Sequence, residues 1–191
     1  MEEIIDILDE DWHITGKICS KDQAHKEGYR HQWGHIRIYN SKWEILIQKR
    51  SEHKQFYPWM RHLSAGWHID AGEAPIHWAI RELAEELHIQ CNEKDLTFWW
   101  VAKQSGYYPQ RGVYDKEFQS LFFLKYDGDV TNLDLQKEEV SEIKWMKYQD
   151  FKHEIMDPIL TVVYVPASDE YWEIVWNFFD KQTDLMQISQ W

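Results

Sequence analysis

The chain has 191 residues, of which 43% are hydrophobic and 28% are charged, and its formal net charge is -12. This length predicts a single domain over residues 1–191, and no apolar run reaches the roughly 18 residues that a membrane-spanning helix requires. The negative charge argues against a nucleic-acid polymer as a partner, although bound cations would still permit contact with a small phosphate compound. An acidic N-terminus and only two cysteines favour a cytoplasmic protein without disulfides.

The first half of the chain predicts two β-hairpins followed by a helix. Residues 4–19 contain two short apolar stretches on either side of a polar turn, which indicates an N-terminal hairpin. Residues 35–39 and 43–49 alternate in polarity around a turn-like segment, which predicts a second hairpin. From Pro75 to Leu87 the apolar period changes to about 3.6 residues, and Pro75 suits a first helical turn.

The second half predicts more strands and two late helices. Strands are expected over 96–102 and 118–126, with a polar loop over 103–116 that would cover a site. A short strand over 142–146 precedes helices over 148–156 and 168–181, and Ser168 suits the N-cap of the last helix. Strands around one helix, with further helices at the end, predict an α/β sandwich around a mixed β-sheet.

Three glutamates lie on one face of the central helix. At about 100° per residue, Glu85 and Glu86 fall within about 60° on either side of Glu82, beside a separate aliphatic stripe. Like charges at this spacing destabilise a helix unless a counterion is present. Because Mg²⁺ and Mn²⁺ prefer oxygen ligands, the cluster is a candidate metal site, although a solvated acidic face is the alternative.

The segment that contains this helix resembles a known motif. Residues 67–73 read Trp-His-Ile-Asp-Ala-Gly-Glu, and residues 81–89 read Arg-Glu-Leu-Ala-Glu-Glu-Leu-His-Ile. Together they resemble the Nudix box, G-x5-E-x7-R-E-U-x-E-E-x-G-U, in which U is a bulky aliphatic residue. The matching positions are Glu73, Arg81, Glu82, Leu83, Glu85, Glu86 and Ile89. The resemblance implies a Nudix-like α/β/α sandwich and hydrolysis of a pyrophosphate bond in a small diphosphate substrate.

The resemblance also implies a metal site that holds Mg²⁺ or Mn²⁺. Glu82, Glu85 and Glu86 would be its carboxylate ligands, and a main-chain carbonyl of Gly66 or Trp67 would add an oxygen. Arg81 would hold a carboxylate, expected to be that of Glu73, through charge-assisted hydrogen bonds. The cations would neutralise the diphosphate and lower the pKa of an attacking water.

Residues outside the box are candidates for the remaining roles. Glu139, or its neighbour Glu138, would act as the general base, with a solvated loop as the alternative. Contacts with the substrate would come from basic and aromatic side chains, each of which can also be structural. These candidates are Lys49, Arg50, Trp78, Tyr107, Tyr108 and Arg111.

Two positions depart from the motif. Trp67 stands at the first glycine of the box and His88 at the second, so strain is expected wherever the backbone needs a positive φ. Tryptophan is abundant, with 12 residues, and several stand where turns or polar surface are expected. These tryptophans pack in the core, reflect a sequence altered at loop positions, or form a binding or homodimer surface. They are Trp12, Trp33, Trp43, Trp59 and Trp67.

Two other functions stay open. The layout around the box looks like the Nudix branch related to isopentenyl-diphosphate isomerase, whose chemistry needs a cysteine near the start of the box. Residues 60–66 contain no cysteine, and neither Cys19 nor Cys91 matches that place, so hydrolysis is favoured. A noncatalytic binding module is the third possibility. The sequence leaves nucleoside, sugar, coenzyme and isoprenoid diphosphates open as substrates.

Overall fold

The computed structural model describes residues 2–54, 56–62, 64–109, 111–131, 133 and 135–188. Its strands are β1 (Ile4–Leu8), β2 (Ile14–Ser20), β3 (His31–Tyr39), β4 (Glu44–Arg50), β5 (Arg61–His62), β6 (Ala65–His68), β7 (Leu96–Tyr108), β8 (Val113–Lys125) and β9 (Val140–Lys147). Its α-helices are α1 (Lys21–Glu27), α2 (Pro75–Leu87), α3 (Tyr148–Met156) and α4 (Asp169–Ile188), and Glu93–Asp95 and Thr161–Val163 form short 3₁₀ turns.

The central sheet is mixed. Its strands follow the order β5-β4-β3-β8-β7, while β6 also pairs with β3 and β9 with β4. The β3–β8 pair is parallel, and the other pairs of this sheet are antiparallel. The first hairpin, β1–β2, forms a separate antiparallel pair, as predicted.

Each face of the sheet supports its own apolar core. On one face, α2 buries Leu83 and Leu87 against Ile36, Ile38 and other side chains of the sheet. On the other face, α3 and α4 bury aromatic side chains, including Phe123 stacked on Phe178 with ring centroids 3.6 Å apart. Helices on both faces of a mixed sheet make an α/β/α sandwich, which confirms the predicted fold class.

Helices α2, α3 and α4 and most strands lie where the sequence indicated. Helix α2 has the predicted bounds, and Ser168 accepts a hydrogen bond from the Tyr171 N–H at 3.2 Å, as expected for an N-cap. Helix α1 was not predicted, because a segment of seven residues is too short for a helical period to be recognised. It begins after Ser20, whose hydroxyl accepts from Gln23, and ends at Gly28 in the left-handed conformation.

The predicted loop over residues 103–116 is wrong. Strands β7 and β8 continue through this segment as a long antiparallel hairpin, and their register ends at the Tyr108–Val113 pair. Backbone hydrogen bonds hold the polar residues of this segment in the sheet, so the polarity of their side chains did not predict a strand. The segment is therefore a two-stranded ribbon with a short turn at its tip.

Among the described residues, no helix is both long and apolar enough to cross a bilayer.

Candidate active site

Helix α2 carries most of the motif residues and is anchored at both ends by local geometry. Pro75 occupies its first turn, and His88 closes it in the left-handed conformation with φ 53°. The His88 N–H donates to the Leu83 carbonyl oxygen, so histidine performs the capping role expected of a glycine. The indole of Trp78 packs beneath β3 and is fully buried, which removes Trp78 from the candidate substrate contacts.

Arg81 binds several carboxylates of the motif. Its Nε and Nη2 donate to the two Glu73 oxygens at 3.0 and 2.8 Å, which is a bidentate pair. Its Nη1 donates to Glu82 at 2.7 Å and to Glu85 at 3.1 Å. The hydrogen bond with Glu73 and the negative charges of Glu82, Glu73 and Glu85 raise the pKa of Arg81, although burial opposes this shift. The arginine thus ties the loop before α2 to the helix.

The box glutamates occupy different environments. Glu82 and Glu86 are 5% and 3% exposed, whereas the side chain of Glu85 is 56% exposed. Burial raises the pKa of Glu82 to about 7, although the nearby Arg81 opposes this shift. Burial also raises the pKa of Glu86, and the negative charges of Glu82 and Glu139 add to the effect. One Glu86 oxygen, Oε2, is buried without a hydrogen-bond partner.

Lys54 stands beside Glu86. Its ammonium forms an ion pair with Glu139 and lies 3.5 Å from the centroid of the Trp67 ring. The side chain of Lys54 is only 7% exposed, and burial lowers its pKa. The ammonium group of Lys54 therefore lies near both Glu86 of α2 and Glu139, the predicted general base. The sequence contained no spacing signal for Lys54, because it reaches this place from the segment after β4.

The expected convergence of three glutamates is only partly present. In the described part of the chain, Glu82, Glu85 and Glu86 do not form a group whose ligand atoms all lie within 4.8 Å of one another. Arg81 draws Glu82 and Glu85 toward Glu73, while Glu86 faces Lys54 and Glu139. The helical period of about 100° per residue placed the three glutamates on one face of α2. Their pairing with other side chains separates the carboxylates in the structure. A bound cation would have to compete with Arg81 for Glu82.

Trp67 causes no backbone strain. It lies in β6, opposite Gly34, and is absent from the described non-glycine residues with positive φ. The condition under which strain was expected at this first box position is therefore not met, because the position is extended strand. The left-handed tryptophans are instead Trp12, Trp43 and Trp59.

A cavity of about 410 Å³ lies beside this site. Arg50, Lys54, Trp67, Glu138 and Glu139 line it. Of the other predicted contacts, Tyr108 also lines the cavity. Lys49, Tyr107 and Arg111 are absent from its described lining, and so are Gly66, Arg81 and the box glutamates Glu82, Glu85 and Glu86.

Three of those exclusions have a clear geometric reason. Lys49 follows Gln48 and precedes Arg50 on β4, so it points to the other face of the sheet, over Trp59. Tyr107 alternates with Tyr108 on β7 in the same way and packs on Tyr114. Arg111 stacks on Phe56 near the tip of the β7–β8 hairpin.

A second group of potential ligands was missed by the sequence analysis. His25, His31, His68 and Glu117 offer ligand atoms that all lie within 4.8 Å of one another. They come from α1, β3, β6 and β8, so no local spacing connects them. His25, His68 and Glu117 line the same cavity.

Two histidines of this cluster have an oxygen atom close to Nδ1. The Nδ1 of His31 lies 3.1 Å from the Tyr29 carbonyl oxygen, and the Nδ1 of His68 lies 3.2 Å from a Glu3 oxygen. These contacts leave Nε2 of both rings toward the cluster, where His68 Nε2 is 3.3 Å from His25 Nε2. Such outer contacts are typical of metal-binding histidines.

Burial keeps these histidines neutral. It lowers the pKa of His31 to about 3 and that of His68 to about 4, and neighbouring histidines contribute to the shift of His31. Burial likewise raises the pKa of Glu117 well above its usual range. Three neutral imidazoles and one carboxyl suit Zn²⁺ or another transition metal better than Mg²⁺.

The comparisons with known proteins agree with this architecture. The NUDIX domain family model matches residues 28–164. A protein called an uncharacterized Nudix hydrolase, from Listeria monocytogenes, is 31% identical over 147 residues, covering 77% of this chain and 81% of that protein. Nudix hydrolase 3 of Arabidopsis thaliana is 28% identical over 155 residues, 80% of this chain, but the match spans only 20% of its length.

A solved structure from Deinococcus radiodurans has a similar fold. It superposes with a TM-score of 0.63 and 20% sequence identity, and the match covers 90% of this chain and 97% of that one. At this identity the likeness concerns the fold alone.

Proposed function

The chain belongs to the NUDIX domain family, and on that premise we propose that it is a metal-dependent hydrolase of a pyrophosphate bond in a small diphosphate substrate. The observation that carries the proposal is the buried Glu86, which lies near Lys54 and Glu139 of the cavity lining and has one carboxylate oxygen without a hydrogen-bond partner. A buried carboxylate without a partner is costly, and a divalent cation would satisfy it.

The box residues would share the metal chemistry. Glu82, Glu85 and Glu86, together with the carbonyl of Gly66 or Trp67, would hold Mg²⁺ or Mn²⁺. Bound metal would neutralise the diphosphate and activate a water for attack at phosphorus. Arg81 would fix the loop and helix relative to each other through its paired hydrogen bonds with Glu73.

Glu139 is our candidate general base. It lines the cavity and lies near enough to Glu86 for the two charges to interact. Its ion pair with Lys54 has to open, or share the carboxylate, before Glu139 accepts a proton from water. Lys54 released from Glu139 would then contact a phosphate oxygen, and Arg50, on the same wall of the cavity, would do the same.

The histidine cluster is a second candidate metal centre of the same cavity. Its nitrogen-rich donor set differs from the oxygen donors of the box, so the two centres would prefer different cations. Glu117 and His68 would also border a substrate that reached the box carboxylates from this side.

An isomerase and a noncatalytic binding module are the alternative functions, and each requires a different chemistry at the site. An isomerase of the isopentenyl-diphosphate type would need a cysteine at the site, and neither Cys19 nor Cys91 is among the described residues that line the cavity. A noncatalytic binding module would bind a diphosphate without turnover. A homodimer, suggested by the exposed tryptophans, stays a prediction.

The decisive experiment compares nucleoside, sugar, coenzyme and isoprenoid diphosphates as substrates with Mg²⁺ or Mn²⁺. The wild-type protein is expected to release phosphate or a monophosphate from one of them, and the Glu85→Gln/Glu86→Gln double variant is expected to lose that activity. The matched control is Glu93→Gln, whose side chain is 65% exposed. Equal rates in the double variant, or no turnover by the wild type, would contradict the proposal.

A further inference from the structure

Several side chains that line the cavity have no role in the proposed hydrolysis. Arg37, on β3, is one of them and is only 2% exposed. Its Nη2 donates to the Tyr171 hydroxyl at 3.2 Å, but its Nε and Nη1 are buried without a hydrogen-bond partner. None of the ion pairs found in the described part of the chain includes Arg37. The guanidinium is therefore a buried positive charge without a carboxylate beside it.

Aromatic rings offset only part of this cost. The guanidinium carbon lies 5.4 Å from the ring centroid of Phe151, 5.7 Å from that of Tyr171 and 5.2 Å from that of Trp172. Ring faces attract a cation, but they offer no oxygen to the N–H groups in the guanidinium plane. Arginine stays charged in proteins, so it does not escape the penalty by losing a proton. An anion bound beside the guanidinium would remove the energetic cost of this unpaired buried charge.

Two histidines add potential donors beside Arg37. His35 precedes Arg37 by two residues on β3, so both side chains lie on the same face of the sheet. The ring of His62 lies beside that of His35, with ring centroids 6.1 Å apart. The Nδ1 atoms of both histidines are buried without a hydrogen-bond partner. Both rings line the cavity. Burial lowers the pKa of His35 well below its ordinary value, so a neutral ring with one N–H is present at neutral pH.

We propose that Arg37, His35 and His62 form a subsite for an oxyanion group of the substrate, a carboxylate or a phosphate, separate from the pyrophosphate that is cleaved. The planar fork of arginine matches two oxygens of such a group, and the histidine N–H groups would add further hydrogen bonds. The subsite rests on the proposed function only because the oxyanion is assigned to the same substrate.

The subsite narrows the substrate class. A cavity of about 410 Å³ lies within the usual range for small-molecule sites, so it accommodates more than a diphosphate. An isoprenoid diphosphate would place an apolar tail against the buried guanidinium and leave its N–H groups unsatisfied. A diphosphate whose attached group carries a second anionic function would satisfy them.

The test measures anion binding without catalysis. Isothermal titration calorimetry in EDTA, with inorganic phosphate in one series and acetate in another, separates the two oxyanion types and excludes metal-bridged binding. The wild-type protein is expected to bind at least one of them, and Arg37→Met is expected to weaken that binding by at least tenfold. Arg30→Met is the matched control, because Arg30 is also a buried arginine but is paired with Glu10 and lies outside the described lining.

Arg37→Lys serves as a second variant, because it keeps the charge and loses the planar fork. It is expected to bind the anion less tightly than the wild type and more tightly than Arg37→Met. Equal affinity in the wild type and both Arg37 variants, or no binding of either anion by the wild type, would overturn the subsite. Because this measurement needs neither metal nor turnover, it is independent of the proposed function. Glu86→Gln would abolish hydrolysis and leave the binding of phosphate or acetate at Arg37 unchanged.

Discussion

The indole ring of Trp78 lies against the α-carbon of Gly34 and fills the space that a β-carbon would occupy. Gly34 belongs to β3 and Trp78 to α2, so this contact sets how closely the box helix approaches the sheet. The distance between helix and sheet in turn determines where the carboxylates of α2 stand relative to the cavity. A glycine outside the motif and a tryptophan at one of its unspecified positions therefore help to position the candidate active site.

Gly34→Ala is expected to destabilise the protein. The added methyl group would overlap the buried Trp78 ring, and overpacking of this kind costs about 1–3 kcal/mol or more. Urea unfolding would measure the loss. Gly106→Ala is the control, because Gly106 lies in β7 and a methyl group added there would have its nearest neighbouring atom 3.8 Å away. Equal stability of the two variants would refute the role of this contact.

At a left-handed tryptophan, glycine is expected to be tolerated better than alanine. Trp59 has φ 66°, and Trp59→Gly and Trp59→Ala lose the same half-buried indole and its contact with Lys49. Because only alanine keeps a β-carbon in the left-handed conformation, Trp59→Gly should be the more stable variant by about 1 kcal/mol. The comparison is Trp100→Gly and Trp100→Ala in the strand β7, where alanine should be the more stable residue because glycine loses more backbone entropy. Thermal unfolding measures both differences, and the same order of stability at both positions would contradict this account.

Lys54→Met is expected to tighten Mg²⁺ binding in the absence of substrate by several-fold. The ammonium stands beside Glu86 and pairs with Glu139, so its removal takes a competing positive charge away from the carboxylates. Calorimetric titration with Mg²⁺ measures the change. Lys49→Met is the control, because it also removes one positive charge but at a residue of β4 that does not line the described cavity. This variant should leave the affinity for Mg²⁺ unchanged. Weaker Mg²⁺ binding by Lys54→Met would contradict the prediction.

The contribution of Glu82 to stability without metal is expected to fall as pH rises. The folded protein raises the pKa of Glu82 from 4.5 to about 7, so it favours the protonated carboxyl. This contribution is fully present below pH 4.5 and is lost as pH rises through about 7. The buried histidines act in the opposite direction, because their lowered pKa values make stability rise with pH. The difference in the free energy of unfolding between the wild-type protein and Glu82→Gln, measured with urea in EDTA, should therefore fall across this range. Identical pH dependence in both proteins would exclude Glu82 as the source.

The histidine cluster is expected to bind Co²⁺ as a spectroscopic substitute for Zn²⁺. A site of imidazole nitrogens and one carboxylate should give visible absorption bands in the metal-loaded protein. His68→Gln should lose these bands, because one of the converging ligands is removed. His53→Gln is the control, since His53 is 69% exposed and lies outside the cluster. Retention of the bands in His68→Gln would refute the assignment.

The sequence by itself determined the parts that depend on local periodicity and motif spacing. Helix α2 follows from apolar residues at a period of 3.6 with Pro75 at its start, and the box residues identified the family that the comparisons confirm. The first hairpin and the late helices were also predicted, because their alternation and capping signals are local. The long β7–β8 hairpin was not, because backbone pairing sustains its polar segment.

Only the tertiary structure decided which side chains meet. Lys54 forms an ion pair with Glu139, which is far from it in sequence. The ligands of the histidine cluster come from separate elements, and Arg37 contacts aromatic residues of α3 and α4. Such contacts join residues far apart in sequence, so no periodicity records them. The same holds for the carboxylates of the box, because a helical wheel gives the direction of each side chain but not the partner that holds it. Arg81 and Lys54 make that choice in the folded protein.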